Sequence, residues 1–183
     1  MKKTSLFILL FLAMTFLPPV GCTCPDLALE TFEVWVAKNN PPYDIMSATD
    51  SVYLYLDLNW RTMPQANNFT TSNNSLYAWQ CEEKLGSGLI DIRITSNQEF
   101  NGIPAGANLT DIFVCTKKQG LFIEDCLRET FKKGDYINYP GTSGIGFMFT
   151  QAPITAKEHV FMVRLTNDLS EHYSASSDTI RWQ

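Results

Sequence analysis

The chain is 183 residues long, with 19 acidic and 14 basic side chains and a formal charge of −5 at neutral pH. That length suits one domain, or at most two small ones, with a sizeable buried core. An acidic surface repels phosphate backbones, so nucleic-acid binding is rejected.

The N-terminus comes first in chain order. Lys2 and Lys3 form a short basic start, and residues 6–17 are an almost unbroken apolar run. A permanent membrane span needs roughly 20 apolar residues. This run is shorter and fits the apolar region of a secretory signal. Pro18 and Pro19 end any helix there, because proline lacks a donor and clashes with the preceding turn. Val20-Gly21-Cys22 follows, with a small residue directly before a cysteine. It resembles the lipobox of bacterial lipoproteins, with Pro19 where leucine is usual. The resemblance implies cleavage after Gly21, diacylglycerol on the Cys22 sulfur and an acylated new amine. More than one acyl chain makes such an anchor stable. Ordinary signal-peptidase cleavage nearby, giving a soluble secreted protein, is the alternative. Cleavage after Gly21 removes two lysines and no acid, so the charge goes from −5 to −7 and 21 of the 183 residues are lost. The expected layout is a signal peptide over 1–21, an anchor and linker over 22–30, and one domain over 31–183.

With Cys22 assigned to lipid, Cys24, Cys81, Cys115 and Cys126 remain. Four cysteines in an oxidising compartment allow three pairings. The nearness of Cys115 to Cys126 favours 115–126 with 24–81, and free thiols are the other outcome. Zinc is disfavoured: there is no Cys-x-x-Cys pair, and His159 and His172 are the only imidazoles.

Period-2 alternation predicts strands. Residues 31–37 place Phe32, Val34 and Val36 against Glu33 and Trp35. Residues 51–58 place Val52, Leu54, Leu56 and Leu58 against Tyr53, Tyr55 and Asp57. Residues 88–95 place Ile90, Ile92 and Ile94 against Asp91, Arg93 and Thr95. Residues 74–81 are a weaker candidate. Residues 144–150 and 159–166 read as a late pair joined through Pro153, and 178–182 as a last edge strand. Helical signals are fewer. Asn108 caps a short turn through Phe113. Residues 124–133 begin with acids, end with bases and precede Gly134, with Leu127 and Phe131 facing the core. Polar turns punctuate the strands at 39–42, 67–74, 101–106 and 139–146. The expected fold is mainly β: an immunoglobulin-like β-sandwich with one or two short helices.

Catalytic signals are weak. The glycine-rich stretch 141–146 lacks the Gly-Lys-Ser/Thr ending of a phosphate loop and the Gly-x-Ser-x-Gly of a nucleophile elbow. It reads as a hairpin approach. His159 and His172 carry no local motif, with His172 in a polar turn. Glu82-Glu83 and Glu124-Asp125 read as solvated or first-turn acids. Aromatics are the enriched class, with four Trp, seven Tyr and twelve Phe. Tyr53, Tyr55, Trp60 and Trp79 are candidates for a ligand platform, with Trp35 also at a strand end, because exposed rings offer large rigid contact area. The bland alternative is that these rings are core.

Leu76-Tyr-Ala-Trp-Gln-Cys81, Gly88-Leu-Ile-Asp-Ile-Arg-Ile-Thr-Ser96, Glu99-Phe-Asn101 and Pro104-Ala-Gly-Ala-Asn-Leu-Thr-Asp-Ile-Phe113 together resemble small lipoproteins of Bacteroidota that carry an uncharacterised domain. Cys22-Thr-Cys24 and the late strand Val160-Phe-Met-Val-Arg-Leu-Thr166 fit the same pattern. The resemblance implies an outer-membrane lipoprotein on the periplasmic or surface side and transfers no catalytic residue. Asp50-Ser51-Val52 and Asp178-Thr179-Ile180 resemble the O-glycosylation tripeptide of those bacteria. The expectation is a non-enzymatic, lipid-anchored module without a cofactor, held at the membrane by lipid and meeting a protein or glycan partner. A glycan-binding module is the alternative, and a hydrolase ranks third.

Overall fold

Alternation builds the first sheet. The computed structural model describes residues 26–38, 45–47, 50–63, 83–117, 121–137, 142–154 and 158–183. Strand β1 (Asp26–Lys38) pairs antiparallel with β3 (Val52–Thr62), and β3 pairs antiparallel with β7 (Thr142–Phe149). Short strands finish the edges: β4 (Lys84–Leu85) beside the start of β1, and β6 (Phe113–Cys115) beside β7. On β3 the inward row is Val52, Leu54, Leu56, Leu58 and Trp60, all buried. Each such side chain contributes about 1.5–3 kcal/mol when fully removed from water.

The second sheet is β5 (Leu89–Ser96), β9 (Phe161–Asn167) and β10 (His172–Ser176), in the order β10-β9-β5 and all antiparallel. A third, small sheet joins β2 (Ile45–Met46), β11 (Ile180–Trp182) and β8 (Glu158–His159). One core cluster holds side chains from all three sheets. Phe149 of β7 meets Phe161 of β9 with ring centroids 5.2 Å apart, and Trp182 of β11 at 5.7 Å. The fold is mainly β and sandwich-like. The first sheet runs in the order β4-β1-β3-β7-β6 and the second in the order β10-β9-β5.

Among the described residues one α-helix, α1 (Ile123–Thr130), lies between β6 and β7. Glu124 and Asp125 occupy its first turn, where the helix dipole favours acids. Leu127 and Phe131 are buried, as their spacing requires. The helix stops three residues short of Lys133. Phe131 has left helical geometry, and Gly134 turns the chain at φ +86°. The expected turn after Asn108 is a single 3-10 turn over Thr110–Ile112. The Asn108 carboxamide serves it by accepting the Thr110 N–H at 3.3 Å.

Several expectations are corrected. Strand β1 starts at Asp26, so residues 26–30 belong to the sheet rather than to a linker. A bulge between Leu29 and Thr31 shifts the phase, so Leu27 and Leu29 point inward before it and Phe32 and Val34 after it. A second bulge, between Leu89 and Asp91, turns Ile90 out to solvent although Ile92 and Ile94 are buried. His172, read as lying in a polar turn, opens the edge strand β10. The signal segment, the candidate strand over 74–81, and Cys22, Cys24, Cys81 and Trp79 lie outside the described residues.

Candidate functional site

The outward face of the first sheet gathers the exposed rings. Register places Trp35 opposite Tyr55, and Tyr55 opposite Gly146, in one row across three strands. The next row is Ala37, Tyr53 and Met148. Opposed residues share a face about 5 Å apart. Trp35 is 52% exposed and Tyr55 41%, and the Tyr53 and Tyr55 rings lie 6.0 Å apart. Gly146 makes this flatness possible. A Cβ there would sit 2.7 Å from Cε1 of Tyr55, so the phenol ring lies directly over the bare backbone. Thr116 fixes the same residue by donating its hydroxyl to the Gly146 carbonyl at 2.7 Å.

Polar groups border the rings. Glu33, Asp57 and Gly144 form the row on the other side of Trp35, with Thr31 and Asn59 beyond it. Asn59 donates its amide to the Thr31 hydroxyl at 3.5 Å. An aromatic floor with carboxylates and hydroxyls at its rim can stack on the apolar face of a ring and accept its hydroxyl protons.

Of the sequence-derived platform residues, the structure brings Tyr53 and Tyr55 together and adds Trp35 beside them. Trp60 is overturned. It continues the inward phase of β3, is buried, and packs against Phe131 with centroids 5.6 Å apart. The alternation that buries Leu54 and Leu58 already placed it inside. The pairing of Trp35 with Tyr55 is long-range and depends on the bulge near Glu30, which no local pattern reveals.

The remaining candidates are structural. Cys115 and Cys126 form a disulfide with Cα atoms 6.1 Å apart, the shorter of the two expected bridges. His159 is fully buried among Phe100, Phe161 and Trp182, its Nδ1 2.9 Å from the Ser96 hydroxyl. That pair has the partners of a nucleophile and base, yet both residues are buried. His172 is exposed, its Nδ1 3.1 Å from the Thr166 hydroxyl. Among the described residues no group of three His, Cys, Asp or Glu side chains could hold a metal ion. A shallow depression of about 90 Å³, bordered by Asp50, Phe149, Gln151 and Trp182, is smaller than the 300–1,000 Å³ of a typical ligand pocket.

Two carboxylates are perturbed. The Ser47 backbone N–H, 2.8 Å away, and then Lys38, whose ammonium lies 3.1 Å away, hold Asp50 below the usual carboxylate range. Asn167 and then Tyr173 do the same for Glu171. Both clusters secure turns.

No family model, curated protein or solved structure matches the chain.

Proposed function

We propose that the protein is an exported, lipid-anchored module of the bacterial cell envelope that binds glycan on the outward face of its first sheet. The observation that carries the reading is the flat row Trp35–Tyr55–Gly146. An indole and a phenol lie half in solvent where a β-sheet face would ordinarily present polar side chains. Anchoring rests on the basic start, the apolar run 6–17 and Gly21-Cys22. A lipid tether suits a binding role, since it holds the sheet face near the envelope. The work of this site is binding, because the rings stack and the neighbouring carboxylates accept hydrogen bonds.

Affinity electrophoresis of the purified protein through gels containing neutral polysaccharides tests the platform. Retardation by at least one polymer is expected, and Trp35→Ala or Tyr55→Ala weakens it about fivefold or more, the equivalent of about 1 kcal/mol. Free migration in every polymer ends the glycan reading. Intact mass spectrometry of membrane-extracted protein tests the anchor: a chain starting at Cys22 with acyl mass is expected, and a different start or an unmodified Cys22 removes it.

A further inference from the structure

We propose that the outward face of the second sheet is a separate anion site, centred on Arg93 and Arg164, that grips the carboxylates of an acidic polysaccharide. The register of β5 with β9 sets Arg93 directly opposite Arg164, and that of β9 with β10 sets Arg164 opposite Ser174. All three side chains are exposed. They form a line of two guanidiniums and a hydroxyl about 10 Å long across three strands. Like charges directly opposite in a sheet repel and are destabilising. An arrangement of that kind invites a ligand that relieves it.

Little within the chain does so. Arg93 reaches the Gly106 carbonyl at 3.5 Å, a long and neutral contact. Among the described residues neither arginine has a carboxylate within ion-pair distance. Asp91 is the one acid on this face in these three strands. It lies opposite Thr166, one row away from the arginines. In the row on one side Thr95 and Ser176 flank the exposed Met162, and in the row on the other Thr166 and His172 stand beside Asp91.

Chemistry selects the ligand. A guanidinium presents a planar fork that fits a carboxylate with two parallel hydrogen bonds. Two forks on adjacent strands fit carboxylates spaced along a polymer, with the Ser174, Thr95 and Ser176 hydroxyls beside them to bond sugar oxygens. An anionic membrane surface is a poorer match, because gripping it takes a cluster of about 4–8 Lys or Arg, and these three strands present Arg93 and Arg164. This site lies on a different sheet from the Trp35 row and stands independently of it.

The test uses the purified full-length protein in nonionic detergent, with polygalacturonate as the probe and dextran as the neutral control. Polygalacturonate is expected to retard the protein in a salt-sensitive way. Arg93→Gln and Arg164→Gln should each weaken binding about tenfold, the worth of one charge-assisted contact. Arg164→Lys, which keeps the charge and loses the fork, should recover only part. Trp35→Ala should leave this binding unchanged, so failure here and failure of the aromatic platform are distinguishable. Melting temperatures equal to or above that of the parent show that the variants fold. No retardation by polygalacturonate, or equal retardation of the Arg93→Gln/Arg164→Gln double variant, overturns the proposal. An arginine-dependent preference for phosphatidylglycerol over phosphatidylcholine vesicles, without polygalacturonate binding, also overturns it and assigns the face to lipid.

Discussion

Tyr173 and Glu171 show how single residues set the response of this fold to pH. The Tyr173 hydroxyl donates to Oε2 of Glu171 at 2.9 Å, and the same oxygen accepts the Asn167 amide at 2.7 Å. Desolvation, then the bond to Glu171 and the charge of that carboxylate, push the phenol up to about 12. A group whose folded value is raised contributes stability below its unfolded value, near 10 for tyrosine, and loses it as pH climbs through the folded value. Glu171 and Asp50 act in the opposite direction. Their depressed values contribute stability above the ordinary carboxylate range, and it is lost as pH falls through the folded values. A stability profile measured by denaturant titration should therefore decline at both ends. Tyr173→Phe should flatten the alkaline limb and Asp50→Asn the acid limb. An alkaline limb identical in Tyr173→Phe would show that the phenol does not carry it.

At the scale of elements, the sheet edges are covered by local devices. Strand β6 is only three residues long, and its outer edge is closed by the segment entering α1: Val114 bridges Phe122, and the Cys115 N–H donates to the Leu121 carbonyl at 3.4 Å. The Cys115–Cys126 bridge, spanning 11 residues, locks strand to helix. Closing a loop of that size is worth about 3 kcal/mol through the unfolded chain. Cys115→Ala/Cys126→Ala is expected to lose about that much, and hydrogen exchange should rise first over residues 113–130. Unchanged protection there would show that the helix holds β6 without the bond. Helix α1 also covers the free edge of β5. The Leu89 N–H donates to the Phe131 carbonyl at 3.0 Å, and Arg128 Nε to the Ile90 carbonyl at 2.6 Å. Gly88 permits the approach, since a Cβ there would lie 2.7 Å from the Lys133 nitrogen. Much of this architecture was legible in the alternation of apolar residues, which placed the long strands and the inward row of β3. The bulges were not, because one extra residue changes the phase without changing local composition; hence the inverted reading of Ile90 and the late start of β1. Strand β10 escaped for a related reason. It is an edge strand whose side chains are exposed or only half buried, so hydrophobicity leaves no mark on His172-Tyr-Ser-Ala-Ser176. The candidate site was half legible: Tyr53 and Tyr55 declared their shared face, but their partnership with Trp35 and Gly146 is set by register between distant segments.

At the scale of the whole molecule, one aromatic cluster couples the three sheets. Phe100 stands at its centre. A two-residue Asn101-Gly102 turn positions it, with both residues at positive φ and reciprocal bonds of 2.9 Å between Phe100 and Ile103. Its ring meets Phe149 of the first sheet at 6.2 Å, Phe161 of the second at 6.2 Å, and His159 and Trp182 of the third at 5.4 and 6.2 Å. Removing this ring leaves a cavity that no single sheet can close, because its walls belong to all three. Phe100→Ala should cost about 3–5 kcal/mol. For a chain of this size that corresponds to a fall of roughly 6–20 °C in melting temperature. The loss should be shared: far-UV and near-UV circular dichroism should still report one coincident transition at the lower temperature. Two separated transitions would show instead that the sheets unfold independently and that the cluster is not their common support. Trp35→Ala provides the contrast. That ring is half exposed on the outside of the first sheet, and its loss should move stability by no more than about 0.5 kcal/mol. A large drop on removing Trp35 would mark it as part of the support rather than as a surface held out for a ligand.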